Sequence, residues 1–159
     1  MNSRPSTPDT FVEHLAEATR LIGDAMLDKS LEARLEAALP ADGAWFAKAE
    51  ALCRQGVAEG WLCGREAGGI KFGRCVPAGA GLGRFSVDVV EMDNVVGPHH
   101  AHPQGEIDLI IPLDDAAEFD GKGAGWMVYG PGSAHAPTVR QGKALVLYLL
   151  PDGAIAFTR

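Results

Sequence analysis

Four of the five histidines of this 159-residue chain lie between residues 99 and 135: His99, His100, His102 and His135. His100, His102 and Glu106 share one parity, so a strand carrying them would send all three side chains to the same face. Neutral imidazole and carboxylate are ligands for divalent first-row metals. Two imidazoles and a carboxylate make most of a metal site, and a further ligand has to come from another strand. His135, just after the turn Gly130-Pro131-Gly132, and His99 are the candidates in this half of the chain. The same groups converging without a cation would leave several buried polar atoms without partners, which is costly. His99 has the opposite parity to His100. It reads as outward-facing, or as an acid–base group if Pro98 turns it inward. His14 reads as a surface residue of a helix.

Those ligands need a β scaffold, and the second half of the chain supplies one. Arg84 to Glu91 alternates apolar and polar residues, and Glu106 to Pro112 reads as a mostly buried strand. Trp126–Tyr129, His135–Val139, Ala144–Leu150 and Ala154–Phe157 follow. Gly121-Lys122-Gly123, Gly130-Pro131-Gly132, Gln141-Gly142 and Pro151-Asp152-Gly153 read as turns between them. Short strands with Gly/Pro turns and no intervening helix predict an antiparallel sandwich or barrel. The first part of the chain is helical in pattern. Thr10-x-x-Glu13 reads as a capping box, followed by Phe11, Leu15, Ala18, Ile22 and Met26 at helical spacing. Ser30 reads as the N-cap of a second helix carrying Leu31, Leu35 and Ala38 and ended by Pro40. Asp42 reads as the start of a third, striped by Trp45, Ala49 and Leu52 and weakened by Gly56 and Gly60. The expected class is mainly β with N-terminal helices (α+β). A disordered tail over 1–9 would precede a helical segment over 10–63, packed on the barrel or across a dimer interface, and a β domain over 64–159.

Composition narrows the function. Lys plus Arg total 14 and Asp plus Glu 21, a formal charge of −7 with no basic block, which argues against nucleic acid or an anionic membrane as partner. No apolar run approaches the roughly 20 residues of a membrane span, and the N-terminus lacks the pattern of a secretory signal. The three cysteines, Cys53, Cys63 and Cys75, form neither a disulfide framework nor a zinc knuckle by spacing, so reduced thiols and a cytoplasmic location are expected. A dinucleotide fingerprint and a phosphate loop are both missing, so neither nicotinamide nor flavin is expected.

The segment His100 to Glu106 matches His-x-His-x3-Glu, and Gly125-x5-Pro131-Gly132-x2-His135 is similar to the second motif of the cupins. The resemblance implies a jelly-roll barrel binding a metal through His100, His102, Glu106 and His135. Asn94, Leu113 and Val139 stand where the motifs have glycine, glycine and asparagine. Three imidazoles and one carboxylate leave up to two positions of an octahedron open. That favours Fe(II), Mn(II), Ni(II) or Co(II), whereas catalytic Zn(II) more often has three protein ligands and a water.

Longer strings point further. Gly105-Glu106-Ile107-Asp108-Leu109, Gly125 to Val139, and Ala144 to Ile155 resemble the 4-hydroxylaminobenzoate lyase family. That resemblance implies conversion of a hydroxylamino aromatic acid and water to a catechol acid and ammonia, with no net oxidant, and a homodimer. On that reading Glu106 is both ligand and catalytic group, and Glu91 and His99 are candidate proton shuttles. Arg74, Arg84 and Lys71 are candidates for the substrate carboxylate. Trp126 and Tyr129 would wall the ring, and Ser133 would bond substrate. A cupin dioxygenase acting on a small aromatic substrate and a metal-free binding or sensing cupin are the alternatives.

Overall fold

The computed structural model describes residues 6–158. Three helices come first: α1 (Asp9–Ile22), α2 (Lys29–Ala38) and α3 (Ala44–Glu59). The strands follow: β1 (Arg65–Ala67), β2 (Ile70–Val76), β3 (Phe85–Val96), β4 (His100–His102), β5 (Glu106–Pro112), β6 (Glu118–Phe119), β7 (Gly125–Tyr129), β8 (Ser133–His135), β9 (Thr138–Pro151) and β10 (Ala156–Phe157). The larger sheet runs β1-β2-β3-β9-β5-β7, with β6 also on β9, and the smaller runs β10-β4-β8. The strand pairings are antiparallel.

Alternation along the central strands separates two interiors. Ile107, Leu109 and Ile111 of β5 and Leu145, Leu147 and Leu149 of β9 face the helices, in one core with Phe11, Leu15, Leu31, Leu35 and Trp45. Ile110, Ala144, Val146, Tyr148 and Leu150 face the other way, into the barrel. Both faces of β5 and β9 are therefore covered, which is why these strands read as continuous apolar runs. Each large side chain so buried contributes about 1.5–3 kcal/mol.

The helix starts differ from the sequence expectation. α1 opens after Pro8, whose carbonyl accepts from the Phe11 amide at 3.1 Å. Thr10 is thereby placed inside the helix, and the Thr10–Glu13 capping box does not form. The Thr7 hydroxyl donates to the Cys75 carbonyl at 2.9 Å, so the chain is tied to the barrel before Asp9. Of the expected tail, residues 1–5 lie outside the described part. Asp28, not Ser30, caps α2, its carboxylate accepting from the Leu31 amide at 2.9 Å. Gly43, not Asp42, precedes α3. Gly56 packs so tightly that a Cβ there would lie 2.6 Å from Leu62, so it closes the helix against the following chain. Met26 falls off the stripe and is 76% exposed, because α1 stops at Gly23.

His14 is half-buried and not a free surface residue. Its Nε2 donates to the Trp45 carbonyl at 2.8 Å while Trp45 Nε1 donates to the His14 carbonyl at 3.1 Å. Trp45 in turn stacks on Trp126 of β7, with centroids 5.5 Å apart, fastening the helices to the barrel.

Strand β7 is the outer strand of its sheet, and α2 covers it. Glu36 accepts from the Trp126 amide at 2.7 Å and Glu32 from the Val128 amide at 2.8 Å. Residues four apart on a helix thus match residues two apart on a strand, and Lys122 lies between the two carboxylates. The predicted strand His135–Val139 is broken at Ala136-Pro137, where proline offers no N–H. Gln141-Gly142 is not a turn. It is a bulge within the long β9, with φ of 68° and 133°. The last strand shortens from Ala154–Phe157 to Ala156–Phe157.

Candidate metal centre

β4 carries His100 and His102 on one face, and its partner β8 places His135 in register opposite His100. Glu106 arrives differently from the single strand expected. The chain turns at Gly105, with φ of 92°, and crosses from the small sheet to the large one. A Cβ at Gly105 would lie 2.7 Å from the Tyr129 carbonyl, so the crossing needs glycine. Asn94 has φ of 47°, a conformation asparagine tolerates, which explains how it replaces the motif glycine.

The ligand atoms of His100, His102, Glu106 and His135 all lie within 4.8 Å of one another. His102 Nε2 is 3.2 Å and His100 Nε2 3.5 Å from Glu106 Oε1; His135 Nε2 is 3.6 Å from Oε2. The outer nitrogens fix the tautomers. His100 Nδ1 faces the Pro98 carbonyl at 3.2 Å, and His135 Nδ1 faces Asp120 Oδ2 at 2.6 Å, both acceptors. His102 Nδ1 is 2.9 Å from the Ser133 hydroxyl, which spends its own proton on the Gly130 carbonyl at 2.6 Å. Each ring is thus set to hold a proton on Nδ1 and aim a lone pair from Nε2 at one point. His100 and His135 bring those nitrogens to 3.2 Å, which two lone pairs tolerate only with a cation or proton between them. His102 Nε2 and both Glu106 oxygens are buried without a hydrogen-bond partner among the described residues. This donor set fits a divalent transition metal.

Charge follows the same geometry. Burial works to raise Glu106, but the imidazoles of His100, His102 and His135 gathered around it hold it well below the usual carboxylate range. Burial works to lower His135, but Asp120 and Glu106 outweigh it and raise it to about 9. Asp108, wholly buried beside Glu106, is pushed well above its ordinary value by burial and by that neighbour's charge.

Beside the centre a cavity of about 530 Å³ opens along the inner face of the large sheet. Ile70, Phe72, Val90, Met92 and Tyr148 form its apolar walls, and His100 and Phe157, the latter 64% exposed, complete the lining. Arg74 and Asp88 supply its charge. Arg74 donates to Asp88 from Nε at 2.8 Å and Nη2 at 3.2 Å, and to the Gly153 carbonyl at 3.1 Å, leaving Nη1 without an acceptor among the described residues.

The other sequence candidates lie elsewhere. Lys71 and Glu91 pair across β2 and β3 at 3.8 Å on the face away from the cavity, because each is one residue out of phase with its cavity-lining neighbours. Arg84 donates to the carbonyls of Gly23 and Ala25 and holds the α1–α2 connection. Trp126 is 1% exposed in the helix-facing core, its Nε1 donating to the Leu39 carbonyl at 2.9 Å. Tyr129 packs on the rings of His135 and His102 and donates to Asp120, outside the cavity. Ser133 holds His102. His99 is exposed and bonds the Thr158 hydroxyl.

Sequence reading missed Asp88, Asp108, Asp120 and Tyr148. Asp108 shares the parity of Glu106 inside an apolar strand, and that signal was available. Asp120 belongs to a glycine-rich turn and carried none.

A His3Glu set inside a jelly-roll barrel defines the cupin class. A family model described as "PnbB: 4-hydroxylaminobenzoate lyase" matches residues 13–157. The chain belongs to the 4-hydroxylaminobenzoate lyase family. It is 31% identical to the 4-hydroxylaminobenzoate lyase of Pseudomonas putida over 175 residues, covering 99% of this chain and 97% of the relative. It is 30% identical to that of Nocardioides sp. (strain LMS-CY) over 161 residues, covering 96% and 95%. Among solved structures, the polyketide cyclase RemF from Streptomyces resistomycificus aligns with a TM-score of 0.44 and 13% identity, over 58% of this chain and 73% of that one. No helix among the described residues is long and apolar enough to cross a membrane.

Proposed function

We propose that this chain converts 4-hydroxylaminobenzoate and water to 3,4-dihydroxybenzoate (protocatechuate) and ammonia, as a step of nitroarene degradation. The observation that carries the reading is the convergence of three inward Nε2 lone pairs and the Glu106 carboxylate, with one of those residues, His100, lining an apolar cavity that Arg74 also lines. His100, His102, Glu106 and His135 would hold a divalent metal, which when bound supplies Lewis acidity and lowers the pKa of water. Arg74 Nη1 receives the substrate carboxylate, and Lys71 and Arg84, away from the cavity, do not. The apolar walls hold the ring and exclude bulk water. Glu91 and His99 face away from the cavity, so neither is assigned the proton shuttle.

The chemistry balances without a redox cofactor. The N–O bond breaks heterolytically and its oxygen leaves as water. A second water adds to the ring carbon ortho to nitrogen. A third hydrolyses the ring imine, releasing ammonia, and tautomerisation restores the aromatic ring. Protein purified without chelator and supplied with 4-hydroxylaminobenzoate under anaerobic conditions is expected to release ammonia and protocatechuate in equal amounts. A strict need for oxygen would overturn the lyase reading in favour of a dioxygenase. Undiminished turnover by metal-stripped protein would overturn the metal's role. The same reading takes the chain to be a cytoplasmic homodimer, which light scattering at micromolar concentration tests.

A further inference from the structure

Tyr148 occupies an unusual place in the barrel. Register across the large sheet puts Arg74 opposite Asp88, Asp88 opposite Tyr148, and Tyr148 opposite Asp108. This polar row crosses an inner face whose neighbours on β9, Val146 and Leu150, are aliphatic. Tyr148 lines the cavity, is 5% exposed, and its ring centroid is 6.4 Å from that of His100. Its hydroxyl makes no hydrogen bond to any described residue and is not among the fully buried unpartnered atoms, so it is accessible from the cavity that Tyr148 lines. Arg74 Nε and Nη2 already take up both Asp88 oxygens, so that hydroxyl is left for whatever enters the cavity.

We propose that the Tyr148 hydroxyl donates a hydrogen bond to the hydroxylamino oxygen of the substrate, which makes Tyr148 a catalytic residue; this rests on the reaction assigned above. Two inter-strand steps, roughly 10 Å, separate the backbones of Arg74 and Tyr148. A ring whose carboxylate sits on Arg74 therefore presents its opposite substituent near Tyr148 and His100. The hydrogen bond strengthens as the oxygen gains charge during N–O cleavage, so it favours the transition state over the ground state. The phenol keeps its proton.

The test is Tyr148→Phe with wild type alongside. The expected result is a fall in kcat on the order of 100-fold, with KM, thermal midpoint and metal content near wild type. Wild-type and variant are also expected to bind 4-aminobenzoate, which lacks the oxygen, equally well. Variant turnover close to wild type overturns the proposal, as does a loss of 4-aminobenzoate affinity matching the loss of turnover, since Tyr148 would then only shape the cavity. Failure of wild type to release ammonia would instead overturn the assigned reaction. Should the variant not fold, fluorotyrosine labelling of the wild-type chain decides, because it has two tyrosines. The fluorine resonance of Tyr148 is expected to shift with 4-nitrobenzoate and not with 4-aminobenzoate; equal responses overturn the proposal.

Discussion

Asp120, from the turn after β6, holds His135 on β8 through a 2.6 Å hydrogen bond to Nδ1. The same carboxylate accepts from the Thr138 amide at 2.9 Å and from the Tyr129 hydroxyl. One side chain thus orients a metal-facing ring and ties down the strand on either side of it. Asp120→Ala is expected to lower metal affinity about 10- to 100-fold, measured by chelator competition. Asp120→Asn keeps an acceptor for Nδ1–H and is expected to retain more of that affinity.

His102→Ala removes a buried nitrogen that has no hydrogen-bond partner among the described residues. The variant is expected to purify with little metal by elemental analysis and to lose turnover. Stoichiometric metal in that variant would show that the four-residue site is not the one occupied.

The His135 value gives the pH dependence its sign. Its folded-state pKa is raised from 6.5 to about 9, so the protonated ring stabilises the metal-free protein fully below 6.5, and that contribution is lost as pH rises through about 9. A metal must displace this proton, so metal affinity is expected to rise across the same interval while metal-free stability falls. Calorimetric titration with Mn(II) in buffers of different ionisation enthalpy counts the proton released.

Gly153 lies against the cavity arginine: a Cβ there would be 2.7 Å from Arg74 Nη1. Gly153→Ala, at φ of 66°, is expected to displace the guanidinium and raise KM for the aromatic acid with little change in metal content. Arg74→Gln is expected to raise KM further, on the order of 10- to 100-fold for a lost charged hydrogen bond. Steady-state kinetics on both variants check this.

How far the sequence reached depended on what kind of signal each element carried. His100, His102 and His135 announced themselves through ligand chemistry and spacing, and the long apolar runs of β5 and β9 announced a buried sheet. Glu106 was found by spacing but through a strand that does not exist, because a glycine turn at 105 gives the same proximity as continuous alternation. Arg74, Arg84 and Lys71 could not be ranked, since which cation lines the cavity depends on register between β2 and β3. Asp120 was invisible because its partners lie 9, 15 and 18 residues away, in strands whose placement only the fold determines.

The grip of Glu32 and Glu36 on β7 has a colloidal consequence. Burial opposes ionisation of Glu32, yet the Val128 amide with Lys29 and Lys122 holds it below 4.5, so the clasp is intact above that pH and loosens as pH falls through the lowered value. Once the helix lets go, β7 offers open donors to a strand from another molecule. Glu32→Ala/Glu36→Ala protein is expected to form β-rich oligomers at neutral pH, seen by size-exclusion chromatography, under conditions where the parent chain stays dispersed. The helical segment would then act as a built-in chaperone for the barrel's raw edge.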